Sequence, residues 1–176
     1  IGLRAASILK LQGDINYDVD VISYSTASRG LDKEEAYKKV SEAIKILKNK
    51  DVLVYNKRID STLRGNIGTE INAMLDNLED NRIAVVVPAY PDSGRIVVNK
   101  TMLVNGVLLE NSDAGKDPKT PIKTSCVENL VQKDIKYSST YFTLSDIAQP
   151  IEEIAKKIQE AIKKSRILIF DAVNNE

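Results

Sequence analysis

Residues Ile83–Val87 read IAVVV and stop at Pro88. An unbroken apolar run of this kind has no side left for water. It fits a strand covered on both faces, as in a parallel sheet flanked by helices. Val19–Tyr24 (VDVISY) reads as another buried strand, and Asp51–Tyr55, Leu3–Leu9, Thr140–Leu144 and Arg166–Phe170 as further strands, with a polar turn over Leu11–Asp18. Amphipathic stretches at helical spacing lie between them. In the first, Asp32 can cap, Glu35 stands three residues on, and Ala36, Val40, Ala43, Ile44 and Leu47 share one face. Ile67–Leu78 and Ile151–Lys164 repeat the pattern. The alternation predicts a three-layer α/β fold, with a largely parallel sheet, flanking helices and one domain over residues 1–176.

Asn105-Gly106 between Met102–Val104 and Val107–Leu109 predicts a type I′ turn, hence a β-hairpin excursion from the main sheet. Pro88–Asn99 and Asn111–Thr124 read as irregular loops. Ser125 with Glu128 reads as a capping box opening a short helix.

Composition removes whole classes of function. The chain has 25 basic and 25 acidic residues, so no global field recruits nucleic acid or an anionic membrane. Any anion site must be local. There is no histidine, which excludes imidazole bases, Ser-His-Asp systems and His-ligated metals. Cys126 stands alone, so no intrachain disulfide or cysteine metal cluster is available, and it reads as a buried structural thiol. The apolar runs are too short to span a bilayer and no signal peptide opens the chain, so a cytoplasmic location is expected.

Lys57–Asn66 reads KRIDSTLRGN and joins an apolar run to an amphipathic helix. A helix start offers unpaired N–H groups and a positive dipole end, and three cations beside it call for an anion among them. The bland alternative is solvated cations and a capping Asp60 or Asn66. Ligands of parallel sheets bind outside the carboxyl ends of the strands. That rule gathers Ser25–Gly30, Lys57–Asn66 and Pro88–Asn99 on one edge, with Arg29, Lys57, Arg58, Arg64 and Arg95 beside Asp60 and Asp92. Neither GxxxxGK[ST] nor GxGxxG occurs after a strand, so no familiar nucleotide site is visible. The cluster suits a small ligand with one anionic group and several hydroxyls, Asp60 accepting from a hydroxyl and Ser61 and Thr62 bonding its neighbours.

KRIDSTLRGNIGTEI (Lys57–Ile71), PAYPDSGRIVVN (Pro88–Asn99), LVNGVLL (Leu103–Leu109) and DP-x-x-P-I (Asp117–Ile122) resemble the four-carbon acid sugar kinases, specifically their N-terminal sugar-binding domain. The resemblance implies ATP-dependent phosphorylation of acids such as threonate, erythronate or 3-oxo-tetronates. It implies that ATP and Mg²⁺ are held by a C-terminal domain that would be this chain's partner, with the sugar acid as small-molecule ligand. It places substrate binding at Ser28, Arg29, Lys57, Arg58, Ile59, Asp60, Ser61, Thr62, Arg64 and Arg95, with Asp60 as the catalytic residue holding a hydroxyl. Members open with a strand ending in Asp-Asp-x-Thr-Gly-Ala, which this chain lacks. It is therefore read as incomplete at its N-terminus and without the nucleotide-binding domain, hence inactive alone. A non-catalytic sugar-acid-binding module is the alternative; a phosphosugar isomerase is disfavoured by the absence of histidine. The Asn105-Gly106 hairpin is a candidate dimer contact or lid, and a homo-oligomer is among the expected partners.

Overall fold

The computed structural model describes residues 2–11, 18–49 and 51–175, so most of the turn expected over Leu11–Asp18 lies outside the described residues. Strand β1 (Ala5–Ile8) pairs in parallel with β2 (Val21–Tyr24). Helix α1 (Lys33–Leu47) follows, with Asp32 accepting from the Glu35 N–H at 2.8 Å, and packs on α2 (Ile67–Leu78). Strands β3 (Ala84–Val86) and β7 (Ser139–Phe142) flank the central β8 (Ile167–Phe170), all parallel. An antiparallel sheet of β4 (Arg95–Val98), β5 (Thr101–Val104) and β6 (Val107–Leu108) forms the excursion. Short helices α3 (Val127–Gln132) and α4 (Leu144–Ile147) and the longer α5 (Ile151–Ile162) complete an α/β architecture of parallel sheets and flanking helices.

The largest core cluster lies where α2 meets the β3–β8–β7 sheet and the antiparallel sheet. Ile67, Ile71 and Leu75 of the helix pack with Val97, Met102, Val131, Ile167 and Ile169. Each such side chain removed from water contributes about 1.5–3 kcal/mol. Gly68 lets α2 approach the exit of α3, since a Cβ there would stand 2.1 Å from the Lys133 carbonyl oxygen.

Asp171, 1% exposed, locks the two sheets together. It accepts from the N–H groups of Asn99 (2.7 Å), Lys100 (3.0 Å) and Leu144 (3.0 Å) and from the Tyr141 hydroxyl (2.7 Å). Asn99 and Lys100 form the β4–β5 turn at φ 46° and 67°. Val97 bridges to Ala172 next to that carboxylate.

Several expectations are corrected. Among the described residues Val52–Tyr55 is not a strand: Leu53 and Val54 are 90% and 77% exposed, and Arg82 takes the carbonyls of Val52 (2.7 Å) and Leu53 (2.8 Å) that a neighbouring strand would bond. Ile83–Val87 is not covered on both faces. Its strand is at an edge, and Val85 is 62% exposed. The run that is buried throughout its apolar centre is Ile167–Ile169, because β8 has a strand on each side. β2 is likewise largely exposed, paired among the described residues with β1 alone.

The second half of Pro88–Asn99 is a regular strand, closed by a two-residue Asn99-Lys100 turn that carries no glycine signal. Ser125 does not cap α3: its hydroxyl donates to Glu110 at 2.9 Å, while Glu128 pairs with Lys100. Cys126 is only partly buried. The Asn105-Gly106 hairpin forms as expected, both residues having positive φ (51° and 79°).

Candidate functional site

The loops Ser25–Gly30 and Lys57–Asn66, with Asp117, carry a chain of alternating charges. Asp60 Oδ1 receives Arg29 Nη1 at 3.1 Å and Arg64 Nη2 at 3.0 Å. Its Oδ2 receives Thr62 Oγ1 at 2.6 Å and Arg64 Nε at 2.8 Å. Arg64 reaches on through Nη1 to Asp117 Oδ2 at 2.8 Å. The loop can fold this tightly because Leu63 (φ 57°) and Gly65 (φ 95°) turn the chain left-handed. Gly65 also leaves room for Arg29, whose Cγ would lie 2.7 Å from a Cβ at that position.

A second, deeper group lies beneath. Glu70, buried in the first turn of α2, accepts from the Ser28 hydroxyl and pairs with the Lys57 ammonium. Ser28 also shares a hydrogen bond with Thr26 at 2.8 Å. Asn66 opens α2 without capping it through its side chain, donating instead to the carbonyls of Ser28 (3.2 Å) and Leu31 (2.9 Å). These bonds tie the Ser25–Gly30 loop onto the Lys57–Asn66 loop. Glu70, Asn66 and Asp117 are not among the ligand-site residues expected from sequence, although Asn66 ends the central loop, Asp117 opens the DP-x-x-P-I motif and Glu70 is a charged residue among the apolar positions of α2.

Burial pushes the Asp60 carboxyl upward, but hydrogen bonds from Arg64 and Thr62 outweigh it and hold the group well below its usual range. Asp117 is held down to about 2 by the Thr120 N–H, then by Arg64 and the Lys119 N–H. Arg64 is raised, chiefly by its bond to Asp60. Folded carboxyls below their unfolded values contribute stability above the unfolded pKa, and lose it as pH falls through the folded pKa. The unfolding midpoint is therefore expected to stay level above about pH 5 and to drop between about pH 4 and pH 2. Denaturation of Arg64→Met followed over the same range should show a shallower fall; an equally steep one would place the acid sensitivity elsewhere.

Two clefts flank this charged wall. The first, of about 410 Å³, is lined by Arg58, Ile59, Asp60 and Ser61 on one side and Val87–Tyr90 on the other. Arg58 is exposed and, among the described residues, has no hydrogen-bond or ionic partner. The second, of about 460 Å³, lies between Ala27, Arg29 and Gly30 and the segment Asp117–Thr120. The structure thus brings Arg58, Asp60 and Ser61 to the first cleft, and Arg29 to the second. Ser28, Lys57, Thr62 and Arg64 line neither, being engaged by Glu70 or Asp60. Arg95 also lines neither: it donates to the Ser93 carbonyl within its own turn, and its Nε is buried without a partner among the described residues. Asp92 accepts from Asn175 at 2.8 Å. Among the described residues no cluster of three acidic or cysteine side chains could hold a metal ion, and no helix is long and apolar enough to cross a membrane.

Two clefts lined by charged and hydroxyl side chains thus open on an α/β domain. The chain belongs to the family of sugar-binding N-terminal domains, whose profile matches residues 1–176. It is 39% identical to a D-erythronate kinase of Heliobacterium modesticaldum over 181 aligned residues, which cover 99% of this chain and 41% of that relative. It is 35% identical to a D-threonate kinase of Salmonella typhimurium, over 74% of this chain and 31% of the relative. A crystal structure of a Haemophilus influenzae protein superimposes at a TM-score of 0.83 with 26% identity, over 99% of this chain and 43% of that one. A domain-swapped dimer from Bordetella bronchiseptica, solved with bound citrate, matches at 0.73 with 27% identity, over 89% of this chain and 37% of that one. The chain thus spans about two-fifths of the length of its kinase relative from Heliobacterium.

Proposed function

We propose that residues 1–176 are the substrate-binding domain of an ATP-dependent kinase that phosphorylates a four-carbon sugar acid of the threonate, erythronate or 3-oxo-tetronate type. The observation that carries this reading is the first cleft, where Arg58 has no internal anion and stands beside the Asp60 carboxylate and the Ser61 hydroxyl. A sugar acid needs that combination: a cation for its carboxylate, an acceptor for one hydroxyl and a hydrogen-bonding partner for the next. Asp60 is too weak a base to take a proton. Arg29, Thr62 and Arg64 already occupy its oxygens, so a substrate hydroxyl would bond it by replacing the longest of these side-chain contacts, Arg29 at 3.1 Å. Ser28, Arg29, Lys57, Thr62 and Arg64 hold that carboxylate and its loop in place. Phosphoryl transfer depends mostly on positioning and charge, which suits a domain that fixes the acceptor.

The donor, ATP with Mg²⁺, is assigned to a nucleotide-binding domain outside residues 1–176, in keeping with relatives more than twice as long. A cytoplasmic enzyme acting as a homo-oligomer fits the same reading, the latter supported by the domain-swapped Bordetella neighbour.

Calorimetric titration of the full-length protein with threonate and erythronate, followed by product analysis with ATP–Mg²⁺, tests the proposal. Binding of a four-carbon acid, weakened roughly tenfold by Arg58→Ala, and formation of its phosphate are the expected results. Binding without phosphorylation would make the domain a sensor. No binding of any four-carbon acid would overturn the reading.

A further inference from the structure

The second cleft shares no lining residue with the first and lies across the Arg29–Asp60–Arg64–Asp117 chain from it. Its charges do not balance internally. The one carboxylate in its lining, Asp117, has both oxygens committed: Oδ2 to Arg64, and Oδ1 to the N–H groups of Lys119 (3.0 Å) and Thr120 (2.8 Å). Arg29 spends a single nitrogen on Asp60, and its side chain is 62% exposed. The Lys119 ammonium has no partner among the described residues. Thr120 Oγ1 reaches Asp117 only at 3.4 Å, a bond weak enough to give up to a ligand.

Gly30 supplies a separate observation. Its backbone is not left-handed, so its conformation does not call for glycine. A Cβ there would stand 2.9 Å from Lys119 Nζ and 3.4 Å from Lys119 Cε. The missing side chain is the room in which the lysine lies against the main chain of the opposite loop. Lys119 thus lies across the cleft with its ammonium against the main chain of Gly30, the residue next to Arg29, while remaining exposed to solvent.

We propose that this cleft binds a phosphate group, with Lys119 and Arg29 as its cations and Thr120 as a hydroxyl donor. Two like charges facing one space repel unless an anion lies between them. A planar arginine fork and a lysine point charge together match the two charges and several oxygens of a phosphate, whereas a single carboxylate would leave donors unused. The site stands whichever acid occupies the first cleft. The phosphate has two possible sources, the ester of a phosphorylated sugar acid or the polyphosphate of a nucleotide.

The test is calorimetry of the full-length protein at low salt, wild type and Lys119→Gln, with inorganic phosphate as probe and threonate and erythronate as controls. Phosphate should bind the wild type and bind Lys119→Gln about tenfold more weakly, with Lys119→Arg restoring most of the loss and the four-carbon acids unaffected throughout. Equal phosphate affinity in wild type and Lys119→Gln would overturn the proposal, as would no phosphate binding to the wild type. Competition against phosphate by ADP or by a phosphorylated four-carbon acid, lost in Lys119→Gln, identifies the source. If phosphate binds and no four-carbon acid does, the sugar-acid reading falls and this one stands.

Discussion

Asp60→Asn is expected to reduce kcat/KM for the four-carbon acid by at least about 30-fold in the full-length protein, with the loss also visible in acid binding by calorimetry. The carboxylate receives four side-chain donors from Arg29, Thr62 and Arg64. A neutral amide leaves Arg29 without its ionic partner and Arg64 with Asp117 alone, and it turns N–H groups toward guanidinium donors, so the loop loses its shape. Removing one partner of a desolvated charge pair costs on the order of 2–5 kcal/mol. Because Asp60 faces the first cleft, the loss should exceed that of Arg58→Ala, which removes a cation with no internal role. An Asp60→Asn protein with wild-type kcat/KM for every four-carbon acid would show that this carboxylate only braces the loop.

The largest effect on stability is expected at Asp171. Asp171→Asn turns an acceptor-only group into one that must place N–H groups against N–H donors. Four donors converge there: the backbone of Asn99, Lys100 and Leu144 and the hydroxyl of Tyr141. Burial and the neighbouring carboxylate push the Tyr141 hydroxyl far above its usual range, so it remains a donor across the accessible pH range. The expected cost is on the order of 3–5 kcal/mol by urea denaturation, because donors buried around a lost charge are left unsatisfied. Tyr141→Phe removes one donor and leaves the carboxylate, so it should cost only about 1–2 kcal/mol. Equal losses for the two variants would mean that Asp171 matters as a partner of Tyr141 alone.

The elements most legible in sequence were those whose signal is local. Helix α2 begins and ends where its Ile67–Leu78 periodicity says, and the Asn105-Gly106 turn forms because both positions need a positive φ. The strands were harder, because an apolar run says that a segment is buried without saying by what. IAVVV and ILIF are alike in composition. Only the strand order made Ile167–Phe170 central and left Val85 at an edge facing water. The Asn99-Lys100 turn was missed for a related reason. Its left-handed backbone is sustained by the distant Asp171 carboxylate, and neither residue announces it.

The site divides in the same way. Sequence alone identified the loop Lys57–Asn66 as a concentration of cations, hydroxyls and one carboxylate, since those residue types and their spacing are local facts. It could not tell which cations are already spoken for. Lys57 is neutralised by Glu70, and Arg64 by Asp60 and Asp117, while Arg58 and Lys119 have no ionic partner among the described residues. That partition is a tertiary property: Coulomb attraction acts through space, and it is the folding of the loop onto α2 and onto the distant Asp117 that sets which cations find a partner. Chain order determined which groups are present; packing decided which are left to meet a ligand.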